Sequence, residues 1–381
     1  MRFFKKFLLF FLFKKLNFLF KFWKLDISNF TKIGTIKYLQ KKDESIYLQP
    51  DAYYVYNYKK SFNFLKFKEI KVKKYYYCNL KNAFAVSTGD YPIFLNNQFK
   101  VIMESINLNV KYINSSFFIK SFCKLLFFRP KIKKNDVICF SGSLNDNKFH
   151  WLMDYLPRLE YVVENNIQNN YTYIVNKNNI SFNKFYLNTI GIKNKNILQW
   201  DGLNLEINNL HIYSTRYIKY NKNKYEVYSS KSILWLSSYL KKKFNYVKIN
   251  LTYKKIIVLR KRNDFRRIIN QDEFINFLSK FDYKCLYLED YKEEKIIEIF
   301  KSAKTVITIH GAALSNIIFS NNIKVIEIFP ETRPDEDEFV YFQLTRILNF
   351  DHHVFVVDKK NCSKGIYINL KLFKKTLENI L

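Results

Sequence analysis

His310-Gly311-Ala312-Ala313-Leu314-Ser315-Asn316 follows an apolar run and leads into a stretch of helical character, so it reads as strand, glycine turn and helix start. The first N–H groups of a helix have no intrahelical partner and the helix dipole is positive there, which makes such a junction a cradle for phosphate. Arg260, Lys261, Arg262, Arg266 and Arg267 follow another apolar run of the same half of the chain. Guanidinium forks match phosphate oxygens. Taken alone, the His310 segment is equally an ordinary strand-to-helix connection in which the histidine caps; the arginines favour the anion site.

A second constellation has acid–base character. Between residues 149 and 163 the apolar positions 152, 155, 156, 159 and 163 share one helical face, while His150, Asp154 and Arg158, spaced i, i+4 and i+8, share the other. An imidazole and a carboxylate one turn apart can share a hydrogen bond that fixes the tautomer and raises the basicity of the ring. That suits removal of a proton from an attacking hydroxyl. Asp154 is the alternative base, with His150 orienting it, and a merely solvated polar face packed by Trp151 and Tyr155 is the competing reading. Pro157 lacks an N–H and crowds the carbonyl of Met153, so a kink is expected there. A metal pair is the weaker option because no third ligand stands at suitable spacing.

The elements that must position these residues follow from periodicity. Runs rich in β-branched residues at 254–259, 285–288, 305–309, 324–329 and 353–357 alternate with helical-period runs, the pattern of a parallel sheet flanked by helices. Asn270 and Glu273 stand as an N-cap and its partner three residues on, before Phe274, Phe277, Leu278 and Phe281 at helical spacing. A less regular alternation covers 137–213, and 231–244 reads as a linking helix. The expected organisation is a basic aromatic segment at 1–25, an α/β domain at 26–240 whose first hundred residues are poorly defined, and a second α/β domain at 241–381. Ligands of such sheets bind beyond the carboxyl ends of the strands, which is where both marked segments lie.

The formal charge of +31 would ordinarily suggest nucleic acid or an anionic membrane. Here 38 Phe and 29 Tyr accompany abundant Lys, Asn and Ile, with only 7 Gly and 6 Pro, so the bias equally fits AT-rich coding. No specific nucleic-acid partner is expected. Within 1–25 the longest uncharged run, 7–13, is far shorter than the ~20 residues of a spanning helix. Lysines follow that run and no small-residue cleavage site appears, so the segment is read as contacting an anionic membrane surface, with a helix docked on its own protein as the alternative. Five cysteines without a close pair fit a reducing compartment. His352 and His353, adjacent before an expected strand, point to opposite faces and are taken as structural.

Four motifs in order resemble glycosyltransferase family 61: His150-Trp151-x-x-Asp154-x-Leu156-Pro157-Arg158, then Leu259-Arg260-Lys261-Arg262 through Arg266-Arg267-x-x-Asn270-x-x-Glu273, then His310-Gly311-Ala312, then Glu327-Ile328-Phe329-Pro330. The resemblance covers about 135–350. It implies two Rossmann-like domains facing across a cleft, the GT-B arrangement, and an inverting transfer from a nucleotide-sugar, expected to be a UDP-sugar, without cofactor or bound metal. It further implies a glycan or lipid-linked glycan acceptor in surface polysaccharide synthesis; the cysteines, the missing signal peptide and the basic N-terminus add the expectation of a cytoplasmic enzyme at the inner face of the membrane. Carried over residue by residue, it implies a donor site at Arg260, Arg262, Arg267, His310, Gly311, Ala312, Asn316 and Glu327, with the base at His150 or Asp154. The family often has Gly at Ala313 and an acid at Gln271. A positive-φ turn at Ala313 would be strained. The alternative from another class is a non-catalytic basic scaffold that binds anionic polymers or membrane through net charge, with steep salt dependence.

Overall fold

The computed structural model describes residues 24–25, 36–38, 44–47, 53–56, 69–72 and 76–380, apart from 100, 103–115, 129, 131, 143, 178–180, 214–216, 221–224, 262–266, 331–339 and 358–364. The expected membrane-contacting segment 1–25 therefore falls almost wholly outside the described residues, as does Arg262. Two compact units emerge: residues 1–42 with 74–215, and residues 43–73 with 216–381.

This division differs from the 240/241 boundary expected from periodicity, for a packing reason. The helix Ser230–Lys243, opened by Ser229 accepting the Ser232 N–H, buries Ile233, Leu236 and Leu240. Ser237 Oγ donates to the Ile318 carbonyl at 2.8 Å, and Phe244 packs edge-on against Phe319. What looked like a linker is thus a helix of the second unit. The segment 43–73 also joins that unit, because Tyr53–Tyr56 pairs in parallel with His352–Val357. No local pattern announces so distant a pairing.

Both units are α/β. The first carries a nine-stranded mixed sheet. At one side Leu205–Tyr213, Ile132–Ile138, Thr172–Val175 and Ile197–Gln199 run parallel, and at the other Tyr76–Ser87 pairs antiparallel with Leu205–Tyr213 and with Pro92–Leu95. It is less regular than a Rossmann half. Its core gathers Val137, Cys139, Ile174, Ile207 and Ile212.

The second unit holds a six-stranded parallel sheet in the order Lys284–Tyr287, Lys255–Leu259, Thr305–Ile309, Lys324–Pro330, His352–Val357, Tyr53–Tyr56. Strands such as Lys255-Ile-Ile-Val-Leu259 and Thr305-Val-Ile-Thr-Ile309 are apolar without alternation because helices cover both faces. The helix Gln271–Ser279 buries Phe274 and Leu278, and Phe274 meets Phe373 of Leu370–Ile380 edge to face at 5.1 Å.

The expected capping role of Asn270 is corrected. Asn270 occupies the N-cap position without a side-chain cap bond. Its amide instead clamps the backbone of Ile368, with Nδ2 donating to the carbonyl at 2.9 Å and Oδ1 accepting the N–H at 3.0 Å. Beside it Ile366 donates to the Arg267 carbonyl at 2.7 Å. Gly365, at φ 124°, is required here, since a Cβ would stand 2.8 Å from that same carbonyl. The C-terminal segment therefore fixes the backbone that carries Arg267. Asn270→Ala is expected to cost about 1–3 kcal/mol, since it strands two backbone groups; an unchanged denaturation midpoint would contradict the clamp.

Candidate active site

Within residues 216–381 the sheet order is 2-1-3-4-5, so the winding reverses between the first strand, Lys255–Leu259, and the third, Thr305–Ile309. Successive helices lie on opposite faces on either side of such a switch point, which leaves a crevice at the carboxyl ends of the two strands. Val258 pairs with Thr308, so Arg260 and His310 each stand two residues past that pair, at the mouth of the crevice. A cavity of about 630 Å³ opens on the Arg260 side, lined by Arg260, Lys261, Arg267, Gln271, Asp272 and Tyr287 among others. Lys261 pairs with Asp290 and lies over the Tyr287 ring, and the Asp290 hydrogen bond raises its pKa. Two guanidinium groups thus line a polar cavity beside the carboxyl ends of Lys255–Leu259 and Lys284–Tyr287.

His310 is buried and oriented by a chain of polar groups. Its Nδ1 lies 2.5 Å from Glu327 Oε1, while Glu327 Oε2 lies 2.9 Å from His352 Nε2, and His352 Nδ1 lies 2.9 Å from Thr345 Oγ1. Burial alone would raise the Glu327 carboxyl; the His310 charge and hydrogen bonds from both imidazoles outweigh it and hold the pKa at about 2. The rings of Phe329 and Tyr341 meet His310 edge to face, each at 5.1 Å. Glu327, expected as a donor-site residue, has both oxygens engaged and is 3% exposed. His352, expected to be only structural, is the second arm of this support. Its alternation on a buried strand was visible in sequence, but its carboxylate partner lies 25 residues away.

After Gly311 the chain forms a 3₁₀ helix, Ala312–Phe319, in which Asn316 Nδ2 donates to the Ala313 carbonyl at 2.8 Å. Asn316 Oδ1 is buried without a hydrogen-bond partner. Ala313 is not among the positive-φ residues, so the turn does not need the glycine often found there.

In the first unit His150 Nδ1 lies 2.7 Å from Asp154 Oδ2. The polar helical face expected for His150, Asp154 and Arg158 is corrected: Asp154 and Arg158 are buried. Lys148–His150 is α-helical, Trp151–Tyr155 forms a π turn in which Leu156 N–H reaches the Trp151 carbonyl, and Leu156–Leu159 is 3₁₀. Pro157 has no N–H to close the ordinary ladder, so a wide turn before it and a tight one after it take up the mismatch. The changed phase sends Arg158 inward, where Nε donates to the Asp154 carbonyl at 2.8 Å and the guanidinium covers Tyr155 at 4.9 Å. The His150 side chain keeps 17% exposure against 0% for Asp154. An imidazole held from behind by a buried carboxylate is the arrangement of a general base.

Residues 149–326 match the family model for Glycosyltransferase 61, a segment that begins one residue before His150 and ends one before Glu327. The chain carries a glycosyltransferase domain of this family. No curated protein matches it. The glycosyltransferase also contains His211, which lies between Tyr77 OH at 2.8 Å and Asp136 at 2.9 Å.

Two buried groups of the second unit, His353 and Glu327, have pKa values moved from their ordinary range. Burial, with Lys324 and His352 adding to it and Asp351 opposing, lowers the His353 ring from 6.5 to about 4. Below pH 6.5 the unfolded chain binds this proton and the folded chain does not, so stability falls as pH drops from 6.5 to about 4. Glu327 adds a second loss, from 4.5 down to about 2, as its depressed carboxyl finally protonates. His353→Phe should remove roughly 2–3 kcal/mol of the first loss, and Glu327→Ala should cost about 3–5 kcal/mol at neutral pH. Thermal melting from pH 7 to 4 checks both; identical pH slopes for wild type and His353→Phe would contradict the first.

Proposed function

We propose that this glycosyltransferase moves a sugar from a UDP-sugar to a hydroxyl of a glycan or lipid-linked glycan, inverting the anomeric carbon without a bound metal, in surface polysaccharide synthesis. The observation that carries this reading is the placement of Arg260 and His310 at the switch point of the second unit's sheet. The labour is divided as in a GT-B enzyme: the second unit holds the donor and the first supplies the base.

The nucleoside diphosphate is a modest leaving group, so negative charge developing on its oxygens needs fixed positive groups. Arg260 and Arg267 line the cavity for it, and Arg262, between them in sequence, is outside the described residues. His310 stands at the carboxyl end of the neighbouring strand with Gly311, Ala312 and Asn316 following it. Glu327 keeps the His310 ring turned so that Nδ1 faces the carboxylate and Nε2 is directed the other way. In the displacement the acceptor oxygen attacks the anomeric carbon, its proton passes to His150 Nε2, and the bond from that carbon to the diphosphate oxygen breaks. Asp154, with a fully buried side chain, is the orienting carboxylate and not the base.

His150→Ala should lower transfer by about 10²–10⁴-fold while leaving UDP affinity unchanged. Radiolabelled sugar transfer to a glycan extract, beside UDP calorimetry, reads both. Wild-type transfer by a folded His150→Ala protein would remove the assigned base.

A further inference from the structure

A cavity of about 630 Å³ in the first unit lies apart from His150 in sequence and is lined by Lys120, Lys124 and Lys177, with no carboxylate among its lining residues. Its frame is set by hydrogen bonds: Asn204 Nδ2 donates to the Ser121 carbonyl at 2.7 Å, Asn204 Oδ1 accepts the Ser87 N–H at 3.3 Å, and Lys177 N–H donates to the Asp90 carbonyl at 2.8 Å. Lys120 and Lys124 are exposed, one turn apart on the helix Ser116–Phe127, whose first turn has no acidic residue.

The apolar part of the rim is equally unusual. Phe128 and Leu203, both lining residues, are 68% and 49% exposed, and Leu126, which lines an adjoining hollow together with Phe128, is 46% exposed. Large apolar side chains gathered at the edge of a cationic hollow have no stabilising role in water; they fit a ligand whose anionic head and apolar body are joined. Lysine stems reach from apolar surface to such heads.

We propose that this face docks on an anionic phospholipid bilayer, with a headgroup phosphate in the hollow between Lys120, Lys124 and Lys177, and with Leu126, Phe128 and Leu203 entering the interface. The site stands independently of the nucleotide crevice, and differs from the 1–25 segment to which membrane contact was first ascribed. None of the helices among the described residues is long and apolar enough to cross a membrane, so contact here is at the surface.

The test is co-sedimentation of the full chain with phosphatidylglycerol–phosphatidylcholine vesicles at moderate salt. Three variants are compared: Lys120→Glu with Lys124→Glu, Phe128→Ser, and a control of equal charge change, Lys371→Glu with Lys375→Glu, on the exposed side of the C-terminal helix. The Lys120/Lys124 pair should lose at least tenfold in vesicle affinity, Phe128→Ser several-fold, and the control much less than either. Circular dichroism and UDP affinity establish that each variant is folded. Equal losses in the Lys120/Lys124 pair and the control would mean attraction by net charge alone and would overturn the site. So would undiminished binding by Phe128→Ser, or calorimetric binding of free glycerol phosphate as tight as that of vesicles.

Discussion

A sheet whose strands all run the same way has to send each connection back across a face, so every strand delivers its carboxyl end to the same edge. The second unit obeys this constraint through all six strands, and everything assigned to donor chemistry is a consequence of it. Arg260, His310 and the 3₁₀ turn after it are far apart in the chain but meet at that edge, because Lys255–Leu259 and Thr305–Ile309 are neighbours in register. The reversal of winding between these two strands opens the space a ligand needs.

Behind that edge lies a polar support that the apolar strands would otherwise exclude. A carboxylate at Glu327, inside a buried strand, is tolerated because two imidazoles supply its hydrogen bonds, and it holds His310 in one orientation. The same logic operates in the first unit, where buried Asp154 stands behind the partly exposed His150. In each unit a carboxylate withdrawn from solvent fixes an imidazole nearer to it.

The parallel strands of the second unit were legible in sequence because both of their faces are buried, which leaves uninterrupted apolar runs bounded by charged or glycine-containing loops. The candidate residues at the strand ends stood out in sequence for the same reason. Other features were set by contacts that no local pattern encodes. Asn270 looked like a helix cap, yet its amide is taken by Ile368, 98 residues on. Arg158 looked solvent-facing at helical spacing, yet the π turn and 3₁₀ turn around Pro157 rotate it into the core. His352 showed only its alternation, and its role depends on a neighbouring strand. Tyr53–Tyr56 extends the second unit's sheet from a part of the chain with no clear periodicity at all.

Phosphate recognition at the carboxyl edge of the second unit is the claim on which the functional reading turns. Its most direct test is calorimetric titration of UDP into the wild type and into Arg260→Ala and His310→Ala at moderate salt with EDTA present. Saturable binding by the wild type, weakened at least tenfold in both variants while their melting curves remain cooperative, is the expected result. Equal affinity in all three proteins would contradict the placement of the donor site.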